Sequence, residues 1–124
     1  MDFDQAVAAH SAWKQKLSKY LAQHDGSLKP ADVALDNKCP LGQWIYGEGS
    51  RYSRLTEYST LKQAHTHFHS TAAEVVRHAD AGKSTTEETA LGSGSEFAKA
   101  SAAVVLAIMA MKKRATPQLE PAIK

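Results

Sequence analysis

The stretch 53–81, SRLTEYSTLKQAHTHFHSTAAEVVRHADA, decides how this chain folds. Tyr58, Leu61, His65, Phe68, Ala72, Val75, Val76 and Ala79 recur along it in steps of three and four. That is the period of an α-helix with one buried face, so a long helix is predicted here, stopped by Asp80-Ala81-Gly82. Upstream, Phe3, Val7, Leu17 and Leu21 fall at helical spacings with His10 on the same stripe. That helix should end near His24-Asp25-Gly26, with Gly26 as the residue beyond its last turn. A polar connector follows, with a short helical turn around 31–35. Pro40 then opens a short helix, where its missing N–H costs nothing, and the helix ends at Gly47-Glu48-Gly49-Ser50. Downstream, a last helix is expected from Ser84 or Thr85, with Glu87 and Glu88 suiting the dipole of its first turn. Its stripe reads Leu91, Ala98, Ala102, Val105 and Met109, and Gly92-Ser93-Gly94-Ser95 should weaken or bend it. Lys112-Lys113-Arg114 suits its last turn.

These elements predict an all-α fold, a four-helix bundle with an additional short helix carrying Cys39. The domain is expected to span 1–115. The Pro-containing residues 116–124, with Pro117 and Pro121, read as a flexible tail. Apolar residues continue around the last helix beyond one stripe, which predicts a homodimer interface.

Composition narrows the function. The chain has 124 residues, 43% hydrophobic and 23% charged, the profile of one globular domain. Lys and Arg number 15 against 13 Asp and Glu, too small an excess to indicate a nucleic-acid surface. No apolar run approaches the roughly 18 residues of a membrane span. The start, Met1-Asp2-Phe3-Asp4-Gln5, does not read as a signal peptide, and the single cysteine excludes an internal disulfide; together they predict a cytoplasmic setting.

Six histidines are the unusual count. At about 100° per residue, His65 and His69 lie about 40° apart on the apolar face, while His67 and His78 turn outward. His10, on the stripe of the first helix, makes a third inward imidazole. Taken singly, each of the three reads first as a histidine satisfied within the core, and Cys39 as an ordinary small core residue. Two adjacent buried imidazoles must each find partners, however, because an unpaired buried polar group costs about 1–3 kcal/mol. One metal ion satisfies both, and i, i+4 is the spacing at which one helix face supplies two nitrogens. Cys39, opening the short helix, adds a sulfur whose pKa a helix N-terminus lowers. One thiolate with three imidazoles is a tetrahedral set that favours zinc. His24, about 40° off the stripe of His10, is a reserve ligand. Asp36 is a candidate to orient a ligating imidazole. Trp13, Leu41, Gly42 and Trp44 are expected to pack around the site.

Cys39-Pro40-Leu41-Gly42-Gln43-Trp44 resembles the C-x-L-G-x-W signature of the chemoreceptor zinc-binding (CZB) domain family. His10 stands 29 positions before Cys39, and His65 and His69 stand 26 and 30 after it, in the family's order. The resemblance covers about 6–76. It implies a four-helix bundle, often dimeric, holding one zinc through His10, Cys39, His65 and His69. It further implies a regulatory module, found on chemoreceptors and diguanylate cyclases, that answers to zinc or, through Cys39, to an oxidant of the hypochlorous acid kind. The chain thus reads as a stand-alone member or a domain of a longer chain. A closed four-ligand site leaves no position for a reactive water, so no enzyme is expected. Two other readings remain: a hemerythrin-like metal- or oxygen-binding bundle, which needs carboxylates on facing helices, and a metal-free helical interaction module.

Overall fold

The computed structural model describes residues 1–23, 26–81 and 90–115. Helix α1 (Phe3–Ser11) starts where the Asp2 carboxylate accepts the Gln5 amide at 3.0 Å. A joint at Ala12 leads into α2 (Trp13–Ala22). Short α3 (Pro30–Val33) and α4 (Pro40–Tyr46) both carry proline in their first turn. A 3₁₀ turn (Glu48–Tyr52) extends the chain beyond α4, and the long α5 (Thr56–Asp80) and α6 (Glu96–Ala115) follow. No strand occurs among the described residues.

The fold is an all-α bundle centred on α5. Helices α2, α3 and α6 pack against α5, and α1 packs against α6. The predicted face of α5 is buried along its length: Tyr58, Leu61, His65, Phe68, Ala72, Val75 and Val76. Phe68 meets Phe97 of α6 with ring centres 5.5 Å apart. The far ends of α2 and α5 are tied by Tyr20, whose hydroxyl donates to Asp80 at 2.7 Å. No helix of the described residues is long and apolar enough to cross a membrane.

Three expectations change. The Gly92–Ser95 stretch does more than bend a helix. It ends the helical turn at Ala90 and Leu91 and starts a new one, with Ser95 Oγ accepting the Ala98 amide at 3.1 Å. Glycine weakens a helix interior and serine prefers to cap, so the chain breaks there. The core face of α6 is also not the stripe Ala98, Ala102, Val105 and Met109. Phe97, Ala100, Val104, Ala107, Ile108 and Met111 are buried, whereas Leu106 is 68% and Met109 51% exposed. On a helix apolar nearly all round, periodicity does not select the face, and the larger Phe97, Ile108 and Met111 fill the core instead. Lastly, α2 ends at Ala22, ahead of the predicted stop, and Gly26 takes the left-handed φ of 73° within the connector. The expected start at Ser84 or Thr85, the first-turn Glu87 and Glu88, the stop at Gly82, His24, Asp25 and the tail 116–124 lie outside the described residues.

Candidate metal centre

The helical period aims His65 and His69 from adjacent turns of α5 into the bundle, and His10 enters from the end of α1. All three are buried. Cys39 arrives from the loop before α4, where its Sγ caps the helix by accepting the Gly42 amide at 3.4 Å. The four ligand atoms lie within 4.8 Å of one another. Cys39 Sγ stands 3.9, 3.2 and 3.8 Å from the Nε2 atoms of His10, His65 and His69, and the latter two Nε2 atoms are 3.1 Å apart. The four predicted ligands therefore form one cluster, and it contains no carboxylate. Glu96, on the facing helix, is exposed beside Lys99, which leaves a hemerythrin-like site without that ligand. His67 and His78 face outward as expected, the latter 3.8 Å from Glu74.

Two ring orientations are set by backbone carbonyls. His10 Nδ1 lies 2.8 Å from the Ala6 carbonyl and His69 Nδ1 lies 3.0 Å from that of Val33. A carbonyl only accepts, so each Nδ1 carries the hydrogen and each Nε2 keeps its lone pair, turned into the cluster. Lone pairs gathered within 4.8 Å of one another suit a cation between them, and a His3Cys donor set fits a tetrahedral divalent ion. His65 differs: its Nδ1 is buried with no hydrogen-bond partner among the described residues, so the orientation of that ring rests on packing and on what its Nε2 meets.

Burial sets the protonation states. It lowers the pKa of His65 to about 3, with the His69 and His10 rings adding to the effect. His10 and His69 are lowered for the same reason, partly offset by their carbonyl partners. Three neutral imidazoles therefore face the cluster at neutral pH. Cys39 departs from expectation. Burial raises its pKa and outweighs the lowering by the Gly42 and Leu41 amides. The helix terminus alone does not make the thiolate; an adjacent cation is the stronger influence.

Of the expected packing residues, Trp13 stands edge-on to His69 at 6.4 Å. Leu41 is fully buried two residues beyond Cys39. Trp44 packs elsewhere, against Phe3 and Tyr52 at 5.2 and 6.0 Å, and anchors α4 to α1 and the 3₁₀ turn. Gly42 has the sharpest role: a Cβ there would sit 1.7 Å from the Asp36 carbonyl oxygen. Gly42→Ala must displace either the Cys39 loop or α4. We expect it to lower the unfolding free energy by about 2 kcal/mol in urea titration and to weaken metal binding. Asp36 does not orient an imidazole. Its Oδ2 is taken by the hydroxyls of Tyr46 and Thr66. The carbonyls of Ala6 and Val33 do that work instead, and no residue type in the sequence announces a backbone carbonyl.

A groove of about 460 Å³, lined by His10, Trp13, Lys16, Lys38, Cys39 and His69 among others, opens onto this cluster. His65 closes the inner side. The sequence profile of the chemoreceptor zinc-binding domain matches residues 10–76, from the first of the four ligands to beyond the last. The chain belongs to the CZB family. No curated protein and no solved structure matches it. The CZB match spans both the His10 helix and the His65–His69 pair, so the family's zinc-binding character and the cluster coincide.

Proposed function

We propose that this CZB domain binds one zinc ion through His10, Cys39, His65 and His69, and that it works as a sensory module rather than an enzyme. The observation that carries the reading is the convergence of four donors from α1, the α4 cap and α5, with two imidazole lone pairs preset by backbone carbonyls. When bound, the ion supplies charge that holds the Cys39 sulfur as thiolate and links three chain segments. Loss of that linkage changes how α1 and the Cys39 loop sit against α5, which a partner reads.

Cys39 is the trigger in this reading. It is the ligand of a partly exposed residue on a loop, and the groove gives small molecules access to it. Its thiolate gives two electrons to the chlorine of hypochlorous acid and takes the hydroxyl, while chloride leaves. The resulting sulfenic acid is a poor ligand. One equivalent of hypochlorous acid added to zinc-loaded protein should release zinc to a chelating dye in step with a one-oxygen mass gain at Cys39. Release that does not track this mass gain overturns the oxidant reading.

The cytoplasm, where thiols stay reduced, is the compartment that suits this use of one cysteine. The exposed Leu106 and Met109 on α6, next to half-buried Val105, favour a homodimer through that helix, with a chemoreceptor, a diguanylate cyclase or another signalling protein as the downstream partner. Light scattering on the same samples should give twice the chain mass; a monomer at micromolar concentration removes the dimer.

A further inference from the structure

One cluster beside the metal centre has no role in ligation. The Asp36 carboxylate sits in the loop between α3 and α4, three residues before Cys39. Its Oδ2 accepts the Tyr46 hydroxyl from the end of α4 at 2.7 Å and the Thr66 hydroxyl from α5 at 2.5 Å. Thr66 is the residue after His65. The Asp36 backbone is engaged as well, since its carbonyl occupies the space that a side chain at position 42 would fill. Lys62, one turn before Thr66 on α5, places its ammonium 5.2 Å from the centre of the Tyr46 ring. Three separate segments therefore meet at one carboxylate: the Cys39 loop, α4 and the histidine helix.

We propose that Asp36, Tyr46 and Thr66 form a latch that clamps the Cys39 loop onto α5 and sets how readily the Cys39 sulfur leaves the metal centre. The proposal rests on the zinc reading above. The three imidazoles are fixed on helices packed into the core, so the first donor to leave is the one on the loop. For Cys39 to withdraw from His65, the loop must lift away from both α4 and α5, which breaks the Asp36 hydrogen bonds to Tyr46 and Thr66, while α4 stays on α5 through the buried Tyr58 hydroxyl, which donates to the Ile45 carbonyl. The Asp36 bonds are charge-assisted, which makes them stronger than neutral ones. They also lie at the surface, with Tyr46 46% exposed, so water can replace them when the loop opens. A buried tether would lock the site; an exposed one sets a rate. Asp36, Tyr46 and Thr66 are thus positioning residues, acting on the metal only through Cys39.

The test uses the full chain loaded with zinc. Tyr46→Phe and Thr66→Val each remove one hydroxyl from an exposed position and preserve shape. Each should speed zinc transfer to an excess of a chelating dye by about three- to tenfold, the worth of one exposed charge-assisted hydrogen bond. Thr66→Ser, which keeps the hydroxyl, should restore the wild-type rate. The reaction of Cys39 with a disulfide reagent in zinc-loaded protein should accelerate in parallel, while the melting temperatures of the metal-free variants stay near that of wild type. Wild-type release rates in both Tyr46→Phe and Thr66→Val overturn the latch and leave the zinc site standing. Faster release that Thr66→Ser does not correct overturns it also. A wild-type protein that retains no zinc overturns the site and the latch together.

Discussion

His65→Ala is expected to weaken zinc binding by about a hundredfold or more, with His67→Ala, two residues away, leaving it unchanged. Structural zinc sites of four ligands gain about 10–16 kcal/mol on binding, so one ligand carries roughly 3 kcal/mol. His65 is the most sensitive of the three imidazoles for a reason visible in its surroundings. Its Nε2 makes the shortest approaches in the cluster, 3.2 Å to Cys39 Sγ and 3.1 Å to His69 Nε2, and it lines the closed side away from the groove. His67 is on the outer face of the same helix, so it controls for any general effect of removing a histidine from α5. Competition against a chelator of known affinity measures the difference. Equal affinity in His65→Ala and wild type would remove the proposed ligand set.

Stripping zinc from the protein is expected to lower its melting temperature by about 15 °C. A ligand present at a thousand times its dissociation constant stabilises by about 4 kcal/mol, and each kilocalorie shifts a domain of this size by about 4 °C. The metal-free cluster has little to replace the ion. The lone pairs of His10 and His69 face one another inside the bundle, and burial keeps all three imidazoles from taking protons. Scanning calorimetry with and without a strong chelator measures the shift. Identical melting curves would mean that the ion does not link α1, the Cys39 loop and α5, and the sensory reading would lose its physical basis.

Residues 53–81 carried the fold on their own. A 3.6-residue period over that length admits one interpretation, and it also sorted the histidines, because direction around a helix follows from position alone. His65 and His69 inward, His67 and His78 outward, and His10 inward on another helix all follow from counting. The same counting fails on α6, where apolar residues on every side leave the period uninformative and the stripe Ala98, Ala102, Val105 and Met109 lies to one side of the buried face. At Gly92–Ser95 the residue types foretell a weak or bent point but not a full break before Glu96, which depends on whether Ser95 caps a new helix or continues an old one.

What the chain order could not contain is everything that depends on distance between segments. That Cys39 Sγ falls among three Nε2 atoms, that the Val33 carbonyl fixes the tautomer of His69, and that Asp36 reaches Thr66 thirty positions away are facts of packing. So is the raised pKa of Cys39: a helix terminus can be read locally, but the burial that overrides it cannot. Local periodicity is set by covalent geometry and is therefore written along the sequence; convergence, desolvation and the choice of a backbone partner arise only when the helices close on one another.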